Sequence, residues 1–433
     1  RDRNFNMAMS CRRITGSLQW EYLNEGGANM VLRYTGESTE FRGCVLRLRK
    51  GVKNDEAKRQ IEEDSQFQRL VLQPILDGYI KPGTLVELDE DLAAFLHSEV
   101  IQCARPPDRK QAEETGYPAP MDLAAVPAML CTDLGFCPNG FSFEIKPKLG
   151  IADCGVPECG IADVPRFAML QCIDFPKKKK SLSKYNPVRF FQAVLYQQKK
   201  QLREELEFLR DASRDARQNN FRLLGHQNEV HLVPDAALDD LCEVLLHATA
   251  LFSKLRAMDL LAAGRAVEDL VQQLYEVAGS PSELPARCFE EALGAGGKEL
   301  LEELRKTSSD REAMTLVLDA YKTLRPDLVL ALFLLGRAMH DMSLIVNLRR
   351  PMRGDDFEAY ANLGYVRVGE VDLWARLTVI DTDIKPADRI PKYAKTLREY
   401  IQHHHVQTLL SYMGTGKTLY EGLEEVKKRF QAG

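Results

Sequence analysis

No stretch of this 433-residue chain reaches the ~18 uninterrupted apolar residues of a membrane-crossing helix, so no span is expected. Positive charge is not in excess either. The 58 Lys and Arg stand against 63 Asp and Glu, a net charge of −5, which gives no reason to expect nucleic acid as a partner. The ten cysteines lack a disulfide-like spacing, and the first residues hold no apolar signal segment. Both absences point to a reducing intracellular setting, cytoplasm and/or nucleus. Internal repeats are missing. A complete phosphate-binding P-loop is missing too: Gly414-Thr-Gly416-Lys417-Thr418 has the ending, but Ser411 stands where the first glycine belongs. That run follows a helical pattern rather than a strand, so it is read as a helix–helix turn.

What is present is a chain long enough for two domains, with 45% hydrophobic residues to fill their cores. The most telling stretch is Val379-Ile-Asp-Thr-Asp-Ile-Lys-Pro386, followed by Arg389 and Tyr393. A strand-like run delivers Asp381 and Asp383, an ordinary way to hold Mg²⁺. Lys385, Arg389 and Tyr393 then fall at a spacing of four, which shares one face if the segment turns helical. Acid for metal beside base for phosphate suits phosphoryl transfer. The same residues also read as a strand end with a solvated charged turn.

A second segment, Phe141-Ser-Phe-Glu-Ile-Lys-Pro-Lys148, alternates as a strand and ends in two lysines around a proline. The proline biases Lys146 toward an extended backbone. Residues 141–190 hold nine Lys/Arg against five Asp/Glu, including Lys177 to Lys180. That local field suits a small polyanion bound in a pocket, or simply a solvated basic loop. Asp341 follows an apolar helical run, Leu328 to Leu335, and precedes another apolar stretch, so it is either a cap or functional.

Along the chain, strands are expected at 18–22, 30–34, 45–48, 85–88 and 126–131, with helical spacing over 54–79 and 91–101. Residues 132–140, rich in Gly and Pro, form the expected hinge between a first lobe, 1–135, and a second, 136–433. Beyond it, helices are expected at 187–217, 235–277, 283–306, 310–323, 326–341, 391–412 and 417–431. A strand pair at 344–348 and 376–380 brackets Asp381. Strands first and helices later make an α+β chain.

Glu-Ile-Lys-Pro-Lys at 144–148 and Ile-Asp-x-x-x-Lys-Pro at 380–386 resemble the signature motifs of the inositol-pentakisphosphate 2-kinases. Other landmarks follow in order. Glu25-Gly-Gly-Ala-Asn29 resembles the family's glycine-rich nucleotide loop, though by spacing alone it is a plain hairpin turn. Gly43-Cys-Val-Leu-Arg47 resembles the next strand, whose arginine is otherwise readable as a sheet-surface residue. Arg105-Pro-Pro-Asp-Arg109, Arg166-Phe-Ala-Met-Leu-Gln171, Ser183-Lys-Tyr-Asn-Pro187, Gln218-Asn-Asn-Phe-Arg222 and His340-Asp-Met-Ser-Leu-Ile345 complete the set.

The resemblance implies a two-lobed inositol-phosphate kinase fold distantly similar to protein kinases, with a mainly β N-lobe and a larger helix-rich C-lobe. It implies an ATP- and Mg²⁺-dependent kinase acting on the 2-hydroxyl of inositol 1,3,4,5,6-pentakisphosphate. Asp341 would be the catalytic base, with Lys146 beside it in the chemistry. Nucleotide contacts would come from Gly26, Gly27, Ala28, Asn29, Arg47, Asp133 and Arg222. Substrate contacts would come from Arg109, Lys148, Arg166, Asn219, Asn220, Lys385, Arg389 and Tyr393, and metal ligands from Asp381 and Asp383.

Five phosphates carry roughly −7.5 to −10 near neutral pH. The empty pocket's cations are therefore expected to repel one another until a dense polyanion compensates them. The chain departs from the pattern where Asp174 falls in place of a substrate lysine, for which one of Lys177 to Lys180 would substitute. It also has no match to the zinc site of plant members, so no structural zinc is expected. The alternatives are a kinase for a less phosphorylated inositol and a silent polyphosphate-binding protein. In each case a monomer with a small-molecule ligand is expected.

Overall fold

The computed structural model describes residues 12–14, 19–25, 29–50, 54–101, 103, 127–135, 137, 139–148, 164–178, 182–215, 220–224, 233–361, 364–369 and 372–432. Contacts sort the chain into two units, one drawn from residues 1–69 and 81–134 and the other from 70–80 and 135–433.

The first unit is built on a six-stranded sheet in the order β1-β5-β6-β4-β3-β2. Its strands are β1 (Arg12–Ile14), β2 (Trp20–Glu25), β3 (Asn29–Tyr34), β4 (Cys44–Arg49), β5 (Thr84–Leu88) and β6 (Pro127–Thr132). All pairings are antiparallel except β1 with β5. Two-residue alternation turns Met30, Leu32 and Tyr34 of β3, with Leu46 and Leu48 of β4, into the core beside Trp20, Phe41 and Val86. Arg47 and Arg49 consequently fall on the opposite face of β4. On that side Ile61, from the helix Asn54–Phe67, packs with Leu85 and Met129.

The second unit is rich in helices around a five-stranded sheet in the order β10-β11-β9-β7-β8. It comprises β7 (Phe141–Ile145), β8 (Phe221–Leu223), β9 (Ser343–Arg349), β10 (Val366–Arg367) and β11 (Trp374–Ile380). β9 is buried along its whole length, between β7 and β11. Its one interior amide is satisfied across both neighbours. Asn347 Nδ2 donates to Ser142 Oγ (2.7 Å), and Asn347 Oδ1 accepts from Arg376 Nε (3.0 Å). Residues 70–80 belong here because Tyr79 O accepts from Val379 N of β11 (2.7 Å). A β-sheet N-terminal region thus precedes a helix-rich C-terminal one, the mixed class implied by the order of elements. Among the described residues no helix is long and apolar enough to cross a membrane.

Several expected long helices are broken. The 187–217 pattern becomes Pro187–Leu195 and Lys199–Asp215, separated where Gln197 takes φ +57°. The 283–306 pattern breaks at Gly296, whose φ of +114° only glycine adopts readily. His403 ends the helix Ile390–Gln402 and caps the next, His404–Met413, its ring nitrogen accepting from His405 N (3.3 Å). The Gly414–Thr418 run lies between two helices, and Thr418 and Glu421 exchange the hydrogen bonds of a capping box. The expected 326–341 helix ends at Met339, which leaves Asp341 outside it. Gly336 lets this helix lie against its neighbour, since a Cβ there would meet Met258 O at 2.8 Å.

One buried acid sets a pH dependence. Glu205, fully buried, accepts from Asn186 N (2.8 Å) and lies 3.3 Å from Arg189 Nη1. Burial pushes its carboxyl up to about 7, with the Asn186 N–H and Arg189 opposing and Glu204 adding. A raised folded-state value means the associated stability is fully present below the unfolded value. It is then lost as pH rises toward 7, at a cost of about 3 kcal/mol. Glu205→Gln should remove that slope. Chemical denaturation of both proteins at pH 4.5 and pH 8 would check it, the variant gaining relative to the parent only at the higher pH.

Candidate active site

The second unit gathers charged residues where β7 and β11 end and β8 and β9 begin, because register aligns Ile145 with Leu344 and with Phe221, and Ile380 with Ser343. Past β7 the Lys146 N–H donates to Asn220 O (2.8 Å). Lys146 Nζ lies 3.7 Å from Glu144 Oε1 and 3.6 Å from Asp381 Oδ2. Glu144 is buried, and its other oxygen is 3.5 Å from Arg222 Nη1 on β8. Ser343 Oγ sits 3.1 Å from Glu144 Oε1 and 3.0 Å from Asp381 Oδ2, so one hydroxyl proton serves either carboxylate. Asp381 holds φ +60°, a left-handed conformation uncommon outside glycine and tolerated best by Asn and Asp. Strain of this kind persists where the surroundings over-determine it, often at functional sites.

A second group surrounds Asp341. Its side chain is 69% exposed, and Oδ2 accepts from Lys385 Nζ (3.2 Å). Desolvation would raise its carboxyl, but Lys385, Lys148 and Arg337 outweigh that and hold it below the usual carboxylate value. Lys148 is also left-handed, at φ +58°. Burial pushes its ammonium below the usual lysine value, with Asp341 opposing and Lys146 adding. Arg166 Nη2 binds Glu268 Oε1 (2.8 Å), a carboxylate only 1% exposed, and Arg337 Nη1 stands 3.5 Å from the same oxygen. Arg337 in turn stacks on Tyr393, 4.1 Å from the ring centre. His340, its side chain 9% exposed, is held well below its ordinary pKa by burial and by Arg337, Arg166 and Lys385, so it stays neutral.

Of the sequence-predicted residues, Lys146, Asn220, Arg222 and Asp381 meet in the first group. Asp341, Lys148, Lys385, Arg166 and Tyr393 meet in the second. Arg389 is exposed at the start of the helix Ile390–Gln402. One oxygen of Asp383 is fully buried. Two of the cations expected to repel one another are paired with the protein's own carboxylates, Arg166 with Glu268 and Lys385 with Asp341, and Lys146 sits between Glu144 and Asp381; Lys148 still feels the charge of Lys146.

In the first unit, Asn29 accepts from Arg47 Nε (3.2 Å) and Nη2 (2.7 Å) when its amide oxygen faces the guanidinium. Asp133 is buried and takes both Arg33 Nε (2.5 Å) and Nη2 (3.3 Å), while its N–H donates to Gly43 O (2.7 Å). Glu25 and Lys50, both buried, form an ion pair at 3.4 Å. Gly26, Gly27, Ala28, Arg109 and Asn219 lie outside the described residues, as do Lys179, Lys180 and the side chains of Lys177 and Lys178.

Glu144, Ser343, Arg337, Glu268 and Lys50 were not singled out from sequence. Only Glu144 carried a signal, an acid inside an alternating strand pattern two residues before Lys146. Among the described residues no three His, Cys, Asp or Glu side chains group to hold a metal ion. Mg²⁺ commonly needs only one or two protein carboxylates when phosphate oxygens and water complete its shell, and the half-exposed Asp381 fits that mode.

The family model described as inositol-pentakisphosphate 2-kinase matches residues 22–399. A protein of that name from Arabidopsis thaliana is 26% identical over 241 residues, 47% of this chain and 51% of the relative. Another, from Cryptococcus neoformans var. neoformans serotype D, is 29% identical over 142 residues, 31% of this chain and 33% of the relative. The alignments therefore span about half of one relative and a third of the other.

Proposed function

The chain belongs to the inositol-pentakisphosphate 2-kinase family, and on that premise we propose that it transfers the γ-phosphoryl group of ATP to the 2-hydroxyl of inositol 1,3,4,5,6-pentakisphosphate, giving the hexakisphosphate and ADP. The observation that carries the reading is Asp341, an accessible carboxylate beyond a helix end, hydrogen-bonded by Lys385 and set among Lys148 and Arg337. Beyond pairing Lys385, an exposed carboxylate among these cations weakens pure polyanion binding. A hydroxyl acceptor gives it a use.

Asp341, ionised at neutral pH, accepts the acceptor hydroxyl's proton as that oxygen bonds to the γ-phosphorus. The bond from that phosphorus to its bridging oxygen breaks, and ADP leaves with the electron pair. Lys385 keeps the carboxylate aimed. Lys148, Arg166, Asn219, Asn220, Arg389, Tyr393 and Arg109, together with Lys385, bind the inositol phosphates, the arginines by two-pronged contacts. Lys146 and Arg222 serve the transferred phosphate, and Asn29, Arg47 and residues 26–28 the nucleotide. Asp133 joins that set by resemblance alone, since Arg33 already engages its carboxylate. Mg²⁺ held by Asp381, with Asp383, would supply charge neutralisation at the phosphates. We also infer a monomer acting inside the cell.

Incubation with ATP, Mg²⁺ and a panel of inositol phosphates, resolved by chromatography, tests the reading. Each missing phosphate leaves a charged contact underused, worth about 1.5–3 kcal/mol. The pentakisphosphate should therefore exceed tris- and tetrakisphosphates clearly in kcat/KM. Equal efficiency on a trisphosphate would favour a broader kinase, and binding without turnover a silent one.

A pH signature should follow from Lys148. Its lowered pKa means its charge is lost, as pH rises, earlier than an ordinary lysine's. KM for the pentakisphosphate should therefore climb on the alkaline side while KM for ATP does not. Lys148→Arg should suppress that climb, because a guanidinium stays charged. KM profiles between pH 7 and pH 10 would show it.

A further inference from the structure

We propose that Tyr185 is a positioning residue for the acceptor site, its buried hydroxyl fixing the peptide between Lys146 and Lys148 and so aiming the Lys148 ammonium. The proposal rests on the reading that Lys148 binds inositol phosphate. Tyr185 is wholly buried, its ring 5.9 Å from that of Phe167 and 5.8 Å from that of Phe190. Its Oη donates to Pro147 O at 2.7 Å. That carbonyl belongs to the peptide leading into Lys148, the residue at φ +58°.

Geometry makes this contact informative. A proline has no N–H, so the carbonyl is the only hydrogen-bonding handle Pro147 offers. On the other side the Lys146 N–H is already tied to Asn220 O. The two bonds clamp the segment from both ends, and a lysine in the left-handed region needs such a clamp because the chain left alone prefers φ below zero. Tyr185 is itself held from behind. Its N–H donates to Ser183 Oγ (3.1 Å), Ser183 N–H donates to Gln171 Oε1 (2.6 Å), and the following Asn186 N–H donates to Glu205 Oε2 (2.8 Å). Burial also raises the phenol well above its ordinary pKa, so the hydroxyl remains a donor throughout the working range.

A ring that only filled the core would lose little as phenylalanine, because the aromatic contacts stay. The test is a double-mutant cycle on the full chain, comparing the parent, Tyr185→Phe, Lys148→Met and the double variant. Calorimetric titration with inositol pentakisphosphate gives Kd for each, and thermal unfolding gives stability. Tyr185→Phe is expected to unfold within a few degrees of the parent yet bind about tenfold more weakly. In the Lys148→Met background the same change should add almost nothing, because the two residues act as one unit.

Equal binding by the parent and Tyr185→Phe, or fully additive losses, would overturn the proposal and leave the kinase reading intact. A parent that binds the pentakisphosphate without phosphorylating it would sink the kinase reading while the cycle still decided this one. A parent that does not bind it overturns both. Should Tyr185→Phe fail to fold, Ser183→Ala carries the same cycle, loosening the tyrosine from behind with a smaller loss that again vanishes without Lys148.

Discussion

Asp341→Asn should lower turnover by roughly 10²–10⁴-fold, the span over which general acid–base groups act, while ATP and acceptor binding stay within a few-fold. Asparagine keeps the shape and one accepting oxygen, so Lys385 retains a partner at about the same distance. What disappears is the site for the hydroxyl proton. The neighbours make the result readable. Lys385, Lys148 and Arg337 hold the carboxyl below its usual range, so the parent enzyme carries an ionised base throughout pH 5 to 8. Its activity should show no acid limb from this group in that window, and the variant should be uniformly slow across it. Single-turnover kinetics would separate the chemical step from product release. A variant turning over near the parent's rate would remove Asp341 from the chemistry.

Asp381→Asn is expected to have the second large effect, a loss of about 10²–10³-fold with a raised Mg²⁺ requirement. Asparagine is the informative replacement because residue 381 holds φ +60°, where Asn is tolerated and alanine would add backbone strain. The change removes one negative charge from the group of Lys146, Glu144 and Ser343. Lys146 would then lean on Glu144 alone. Activity across a Mg²⁺ titration, with circular dichroism to confirm folding, distinguishes the roles. An unchanged Mg²⁺ dependence would move the metal role to Asp383 or elsewhere.

Much of the scaffold could be read locally. The alternation in Met30–Tyr34, the apolar run Leu344–Leu348 and the run leading to Asp381 each mark a strand locally, and each is a strand. The lysines around Pro147 and the acid after Ile380 were visible because unusual chemistry sits at the ends of apolar strands. The partners of those residues were not visible. Glu268 lies 102 residues from Arg166, and neither segment announces the other. Arg337 reads as an ordinary charge on an apolar helix until Tyr393 stacks beneath it. β8 spans only three residues, too few to show a period, yet it brings Arg222 to Glu144. The pairing of Arg166 with Glu268 and of Lys385 with Asp341 comes from such long-range contacts, which is why composition suggested only repulsion.

The most direct test of the account is the product of a single incubation with ATP, Mg²⁺ and inositol 1,3,4,5,6-pentakisphosphate, followed by phosphorus NMR and anion-exchange chromatography. That acceptor has one free hydroxyl, so the account predicts one new phosphate monoester at the 2-position, formed together with an equal amount of ADP. Unconsumed pentakisphosphate under conditions where it binds, or a product bearing a diphosphate while the 2-hydroxyl remains free, would contradict it.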